Sequence, residues 1–155
     1  MLIGKPSLRD NPSNYKGSCL CQKVTYQLNQ TDFAPLAHCH CTMCRKFHGA
    51  AFASLLSVHK DKLEFLSGVE SLKVFEANQN GVTTKRTFCS DCGSSLLFES
   101  KHNIENNSVE LAIASLDENI EIFVDGHIYS KDKANWFDIN DTLPKYSGYR
   151  GSHLI

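Results

Sequence analysis

A chain of 155 residues with 41% hydrophobic residues is long enough for one hydrophobic core and short for two. Its 16 basic and 17 acidic residues give a formal net charge of -1, which excludes a general attraction to nucleic acid or anionic lipid. The first residues lack an apolar export signal, and the longest apolar stretch, 50–58, is far shorter than a membrane span of roughly 20 residues. We therefore expect one cytoplasmic domain.

The chain begins without periodicity, and its first 16 residues include two prolines. We predict a loosely ordered arm over 1–16, a domain over 17–146 and a C-terminal tail over 147–155. Alternating β-branched and aromatic residues predict a first strand at 23–28. Runs of similar character predict further strands at 51–57, 72–76, 82–88, 95–98, 109–114 and 120–124.

Helix-forming patterns are short, with one turn predicted at 42–48 after a plausible N-cap and another at 60–65. Asn80-Gly81 lies between two predicted strands and indicates a tight hairpin turn. The polar, asparagine-rich segment 102–108 predicts an exposed loop. Together these patterns predict a mainly β, single-domain fold of small antiparallel sheets with short helical turns.

Seven cysteines occur in three closely spaced groups, namely Cys19-x-Cys21, Cys39-x-Cys41-x-x-Cys44 and Cys89-x-x-Cys92. An odd number in such groups is typical of metal ligands in a reducing compartment, and buried free cysteines are the alternative. A C-x-C segment directs both side chains to one face, and a C-x-x-C turn directs both sulfurs to one metal. We therefore expect zinc.

Ligand counting predicts two Zn²⁺ ions per chain. A structural zinc has four protein ligands, whereas a catalytic zinc characteristically has three and an open position. Spacing alone leaves two groupings open. Cys41, Cys44, Cys89 and Cys92 could form a zinc ribbon, or Cys39 could join Cys41 and Cys44 on one ion.

Four motifs resemble the glutathione-dependent formaldehyde-activating enzyme (GFA) family, which includes centromere protein V. In family order they are Gly17-Ser-Cys-Leu-Cys21, His38-Cys-His-Cys-Thr-Met-Cys-Arg45, Arg86-Thr-Phe-Cys-Ser-Asp-Cys-Gly-Ser94, and a stretch from His127 through Trp136 to Leu143-Pro144. The resemblance implies a β-tent type of fold. It also implies a structural zinc held by Cys19, Cys21, Cys89 and Cys92. A second zinc site, which is open, catalytic and variably occupied, would be held by Cys39, Cys41 and Cys44.

The implied activity is that of a zinc-dependent carbon-sulfur lyase or synthase, which forms or cleaves S-hydroxymethylglutathione or a related thiol-carbonyl adduct. Three thiolates make zinc a modest Lewis acid that suits a small thiol such as glutathione as its further ligand. A non-catalytic glutathione carrier and a zinc-ribbon protein-interaction module are the alternatives. A sulfoxide reductase of a related fold would need a reactive cysteine after Cys92, and the sequence has none. No pattern indicates an oligomeric state.

His127 and Trp136 are candidate substrate-binding residues in the wall of the second site, with the histidine as a proton shuttle. A core position is the alternative for this only tryptophan. His38 and His40 flank Cys39 and could complete the zinc shell or donate hydrogen bonds to its sulfurs.

Two arginines and a further histidine lie close to the cysteine motifs. Arg45 and Arg86 could pair with a thiolate cluster or with a substrate carboxylate. Surface exposure is the ordinary interpretation of each arginine. His48 is a weaker candidate because it lies one helical turn beyond Cys44.

Overall fold

The computed structural model describes residues 14–79 and 81–155. Within these ranges there are two α-helices, α1 Thr42–His48 and α2 Lys101–Glu105. The ten strands are β1 Tyr15–Ser18, β2 Thr25–Leu28, β3 Leu36–Cys39, β4 Ala53–His59, β5 Leu63–Ser67, β6 Leu72–Gln79, β7 Val82–Cys89, β8 Ser95–Glu99, β9 Ser108–Ala112 and β10 Val124–Ile128. Neither described helix has the length and apolar character that a membrane crossing requires.

The strands form two sheets of unequal size. The smaller sheet has the order β1-β2-β5, and the larger has the order β10-β3-β4-β9-β8-β7-β6. Neighbouring strands are antiparallel except for β10 and β3, which run parallel. The predicted mainly β fold with short helical turns is confirmed, and the parallel pair is an exception to the expected antiparallel pairing.

The hydrophobic core draws on both sheets. Tyr26 and Leu28 of β2 are buried on the same face because side chains of a strand alternate between its two faces. They belong to one cluster with Leu56 of β4 and Leu111 of β9. The small sheet therefore covers one face of the larger sheet.

Several predicted elements are confirmed. Helix α1 begins and ends at the predicted residues, 42 and 48, because the side chain of Cys41 accepts a hydrogen bond from the backbone N–H of Cys44 and Gly49 takes the left-handed conformation that ends the helix. The segments predicted at 72–76, 82–88 and 95–98 lie within β6, β7 and β8.

The expectation of a loop at 102–108 is wrong, since α2 covers its first part. Asn103 is buried, and its Oδ1 accepts hydrogen bonds from the backbone N–H and the hydroxyl of Ser100 at 3.0 and 2.7 Å. Its Nδ2 donates to Glu110 at 2.9 Å. An asparagine that suggested a loop therefore fixes the start of a helix.

The strand expected at 120–124 is also wrong, because β10 begins only at Val124. Ile120 and Ile122 do pack against the core, so their alternation reflects burial without strand pairing. The helical turn expected at 60–65 is a 3₁₀ turn at Lys60–Lys62 that leads directly into β5.

Asn80, the first residue of the predicted hairpin turn, lies outside the described residues. The flanking strands β6 and β7 pair antiparallel, with Gln79 opposite Val82. Gly81 has a φ of 79°, which suits a glycine at such a turn. At the other end of the domain, β1 begins at Tyr15, two residues before the expected boundary.

We predict that Gly17→Ala destabilises the protein. A Cβ at Gly17 would overlap the ring carbon Cζ and the hydroxyl oxygen of Tyr26, whose side chain is fully enclosed. Overpacking of this kind costs about 1–3 kcal/mol in the free energy of unfolding, which urea denaturation followed by circular dichroism would measure.

Gly148→Ala is the matched control. A Cβ there would meet Ser152 Oγ at 3.5 Å, an ordinary contact, and Gly148 has no positive φ. Equal stability of the two variants would contradict the role assigned to the close approach at Gly17.

Candidate metal centres

One group of sulfurs, the four-cysteine cluster, consists of Cys19, Cys21, Cys89 and Cys92. All four cysteines are free thiols, and their sulfur atoms lie within 4.8 Å of one another. The Sγ atoms of Cys19 and Cys21 are 3.5 Å apart, and those of Cys21 and Cys89 are 3.9 Å apart. Sulfurs at about 2.3 Å from a tetrahedral zinc are about 3.8 Å apart. The spacing therefore fits a four-coordinate zinc.

The four-cysteine cluster joins the two sheets. Its first two cysteines lie in the turn between β1 and β2, and the other two lie at the turn between β7 and β8. The backbone N–H of Leu20 donates to Ser94 Oγ at 2.9 Å, and Lys23 pairs with Asp91 at 3.0 Å across the same junction. Gly93, with a φ of 76°, permits the sharp turn after Cys92.

The remaining sulfurs, the three-cysteine cluster, belong to Cys39, Cys41 and Cys44. Cys39 ends β3, Cys41 is the N-cap of α1, and Cys44 lies in the first turn of that helix. Their sulfurs also lie within 4.8 Å of one another, and no histidine or carboxylate of residues 14–79 or 81–155 completes this group. A tetrahedral ion held here would therefore keep one position open to an outside ligand.

Hydrogen bonding divides the three thiols unequally. Bonds from Cys39, Cys44 and the backbone N–H of Cys44 hold the pKa of Cys41 far below its ordinary value. The pKa of Cys39 is raised by its bonds to the other two thiols and by burial. A divalent ion bound by all three sulfurs would replace the protons for which these thiols compete.

The sulfurs fall into the compact grouping, and the zinc-ribbon grouping of Cys41 and Cys44 with Cys89 and Cys92 does not occur among the described residues. His38 and His40 do not join the three-cysteine cluster. Both histidines contact Phe52 and His127, whereas Cys39 packs with Ala53 and Ile128. Because neighbouring strand residues face opposite ways, the histidines lie behind the strand that carries Cys39.

Behind this strand, a chain of hydrogen bonds links three polar side chains. His40 Nε2 lies 2.8 Å from His127 Nδ1, and His127 Nε2 lies 2.9 Å from an Asp141 carboxylate oxygen. The Asp141 carboxylate accepts from His127 Nε2–H, and one proton lies between His40 Nε2 and His127 Nδ1. His40 is fully buried, and its Nδ1 has no hydrogen-bond partner within the described part of the chain.

Two sequence interpretations of exposure are wrong. The indole of Trp136 is 69% exposed, so this tryptophan is not a core residue. It lies edge-on to Phe137, whose ring packs against His40. Arg86 was interpreted as a surface residue and is 3% exposed.

Arg45 and His48 are both half-buried on α1. Arg45 donates from Nε to the backbone carbonyl of His40 at 3.2 Å, which ties the helix to the segment between two of the cysteines. Burial, followed by the charge of Arg86, lowers the pKa of His48.

Sequence reasoning missed three residues that surround the histidines, namely Phe52, Phe137 and Asp141. Asp141 lies in the same C-terminal stretch as His127, and a carboxylate near a candidate histidine was a usable signal. The two phenylalanines pack edge-on against each other with 5.5 Å between ring centroids, and nothing in their local sequence indicates this contact.

We predict that Cys92→Ser destabilises the zinc-loaded protein more than Cys41→Ser, although both cysteines are half-buried. Cys92 belongs to the cluster that joins the two sheets, whereas the three-cysteine cluster lies within one short segment. Loss of a structural zinc removes folding free energy directly, so we expect a difference of about 3 kcal/mol or more. Urea denaturation measures it, and equal losses would show that the junction does not depend on metal.

Comparison with known proteins agrees with this geometry. The chain is 34% identical over 84 residues to a curated protein of Halomonas elongata that carries the GFA name, a match to 52% of this chain and 53% of that protein. The chain thus spans about half the length of this curated relative. A crystal structure of a Rhodobacter sphaeroides protein shares the fold, with a TM-score of 0.57 and 22% identity over 72% of this chain and 98% of that one. The family model for glutathione-dependent formaldehyde-activating enzyme matches residues 14–132, a range that contains all seven cysteines, and this chain therefore belongs to that family.

Proposed function

We propose that this chain is a zinc-dependent carbon-sulfur lyase or synthase that forms or cleaves S-hydroxymethylglutathione or a related thiol-carbonyl adduct. The observation that carries the proposal is the three-cysteine cluster, in which three sulfurs converge and leave one tetrahedral position for an outside ligand. Family membership supplies the substrate class, a thiol such as glutathione and an aldehyde such as formaldehyde.

In the proposed reaction, the glutathione sulfur attacks the carbonyl carbon of formaldehyde. A carbon-sulfur bond forms, the π electrons of the carbonyl move to its oxygen, and that oxygen takes up the proton that the thiol has released. A bound Zn²⁺ supplies a Lewis acid at which a thiol ionises near neutral pH. No oxidant or reductant is needed, and the reverse sequence cleaves the adduct.

The backbone that carries the three sulfurs is fixed by β3 and α1. Cys39 ends a strand paired on both sides, and Cys41 and Cys44 are fixed by the first turn of α1. Between them, the His40 backbone N–H donates to Ile128 O at 2.9 Å, and its ring is held by His127. A pre-organised ligand segment costs little rearrangement when a substrate binds.

That His127 contacts the substrate stays a prediction, and its 2% exposure favours a positioning role behind His40. The exposed indole of Trp136 likewise stays a predicted substrate contact. It offers an apolar face close to Phe137, on the side of the strand where the histidines lie.

We predict two zinc ions per chain, with the ion of the three-cysteine cluster lost first on dialysis against a chelator. The fully loaded protein should bind glutathione and accelerate adduct exchange with formaldehyde, as measured by NMR exchange spectroscopy. Cys44→Ser should abolish both effects, because Cys44 is a buried member of the cluster.

The four-cysteine cluster should retain its zinc in Cys44→Ser, which confirms that the variant is folded. Glutathione binding without faster exchange would identify a carrier. No glutathione binding to protein with two zinc ions would overturn the proposed substrate class.

We predict that Trp136→Ala weakens glutathione binding about threefold to tenfold, since an exposed aromatic contact contributes about 1 kcal/mol. Isothermal titration calorimetry measures the affinity, and the intrinsic fluorescence of this only tryptophan gives an independent signal in the wild type. Phe75→Ala is the control, because Phe75 is 58% exposed on β6, at the opposite edge of the large sheet. Equal affinities in the two variants would remove Trp136 from the site.

A further inference from the structure

Arg86 on β7 is a buried cation that the proposed reaction does not yet use. Only 3% of its surface is exposed, and its Nη1 donates to Thr84 Oγ1 at 2.9 Å. The guanidinium carbon lies 4.9 Å from the ring centroid of Phe98 and 6.0 Å from that of Phe47. The guanidinium is therefore held by two aromatic rings, an arrangement that its planar charge favours.

Within residues 14–79 and 81–155, no carboxylate forms an ion pair with Arg86, whereas Lys85, the preceding residue on β7, pairs with Glu76 at 3.2 Å. Burying a charge without an opposite charge is costly, and aromatic rings offset only part of that cost. A negative partner near Arg86 would account for its burial.

The three-cysteine cluster is a candidate for that partner, because two of its cysteines lie at the start of α1, the helix that carries Phe47. Phe47 follows Cys44 by three residues on α1, so the two side chains are neighbours on one face of the helix. The backbone carbonyl of Phe47 accepts a hydrogen bond from Ser95 Oγ at 2.8 Å, which fixes that face against β8. The stacking of Arg86 on Phe47 therefore brings its charge to the helix face that carries Cys44.

A cation at this helix face favours negative charge on the sulfurs of the cluster, because the attraction between opposite charges is strong where water is excluded.

We propose that Arg86 is the counter-cation of the three-cysteine cluster and that it favours an anionic thiolate over a neutral ligand at the open position. Three thiolates around a divalent ion leave a net charge of about -1, and an incoming thiolate makes it about -2. The buried guanidinium offsets part of that charge at short range, where water does not screen it. The inference rests on the proposed function, because it requires an ion at this cluster.

The test is the zinc affinity of each cluster in the full chain, measured by competition with a chromophoric chelator, for wild type, Arg86→Met and Arg86→Lys. Methionine is apolar and long enough to lie between the two phenyl rings without a charge. We expect Arg86→Met to weaken zinc binding at the three-cysteine cluster about 10-fold to 100-fold. Arg86→Lys keeps the charge and should recover most of that loss.

Ligand preference gives a second readout. At the zinc-loaded cluster, calorimetry compares glutathione, which binds as an anion, with imidazole, which binds as a neutral ligand. Arg86→Met should lower the ratio of the glutathione affinity to the imidazole affinity about tenfold or more. Lys85→Met is the matched control, since it removes the same charge from an exposed neighbour on the same strand, and it should leave both readouts unchanged.

Zinc retained at the four-cysteine cluster reports an intact fold in every variant. Unchanged zinc affinity at the three-cysteine cluster of folded Arg86→Met would overturn the inference. Arg86→Lys as weak as Arg86→Met would also overturn it, because packing and not charge would then be responsible. If Arg86→Met does not fold, the zinc affinity of Arg86→Lys at the three-cysteine cluster is the deciding measurement. An affinity near that of the wild type would support the inference, and a large loss of affinity would contradict it. A wild type that binds only one zinc would instead refute the proposed function, and the inference with it.

Discussion

Cys19 and Cys21 leave the small sheet where Cys89 and Cys92 leave the large one, so a single set of four sulfurs joins both sheets. The residues brought together are about 70 positions apart in the sequence, and a metal ion held by all four sulfurs would close that long loop and restrict the unfolded chain. The hydrophobic core, which includes Cys19 and Cys89, is enclosed between the sheets that this junction aligns.

The three-cysteine cluster differs from the four-cysteine cluster because it is formed by one short segment of the chain. Its ligands come from six consecutive residues at the end of one strand and the start of one helix, so the cluster needs support from elsewhere to hold its shape. That support comes from His127 behind the strand and from α1, whose Phe47 meets Arg86. The two clusters thus differ in position, since the four-cysteine cluster joins two sheets and the three-cysteine cluster lies within one short segment.

That the seven cysteines converge in clusters could be predicted from the sequence, because C-x-C and C-x-x-C spacings limit where sulfurs can point. Their division into four and three followed from the family resemblance, since spacing alone left two groupings open. Helix α1 and the long hairpin of β6 and β7 could also be predicted from the sequence, because their patterns are local. The surroundings of the open cluster could not be predicted. Asp141 lies 14 residues after His127, and no local pattern predicts their hydrogen bond. Short strands such as β3 pair with strands that are distant in the sequence.

Burial was predicted least well at Arg86 and Trp136, where residue type suggested the opposite of what occurs. An arginine is ordinarily exposed because burial removes water from its charge. A lone tryptophan is ordinarily buried because its side chain has a large apolar surface. Departures from such tendencies are concentrated at functional sites. Arg86 meets Phe47 on the helix of the three-cysteine cluster, and Trp136 lies beside Phe137 on the histidine side of the strand.

The parallel pairing of β10 with β3 has a consequence for biosynthesis. A ribosome releases all seven cysteines within the first 92 residues, whereas β10 and Asp141 follow 32 and more residues later. Domains acquire structure from the N-terminus as they are made. The sulfurs of the three-cysteine cluster are therefore synthesised before β10, which pairs with β3, and before Asp141, which bonds to His127. The cluster gains this support only after those later residues emerge.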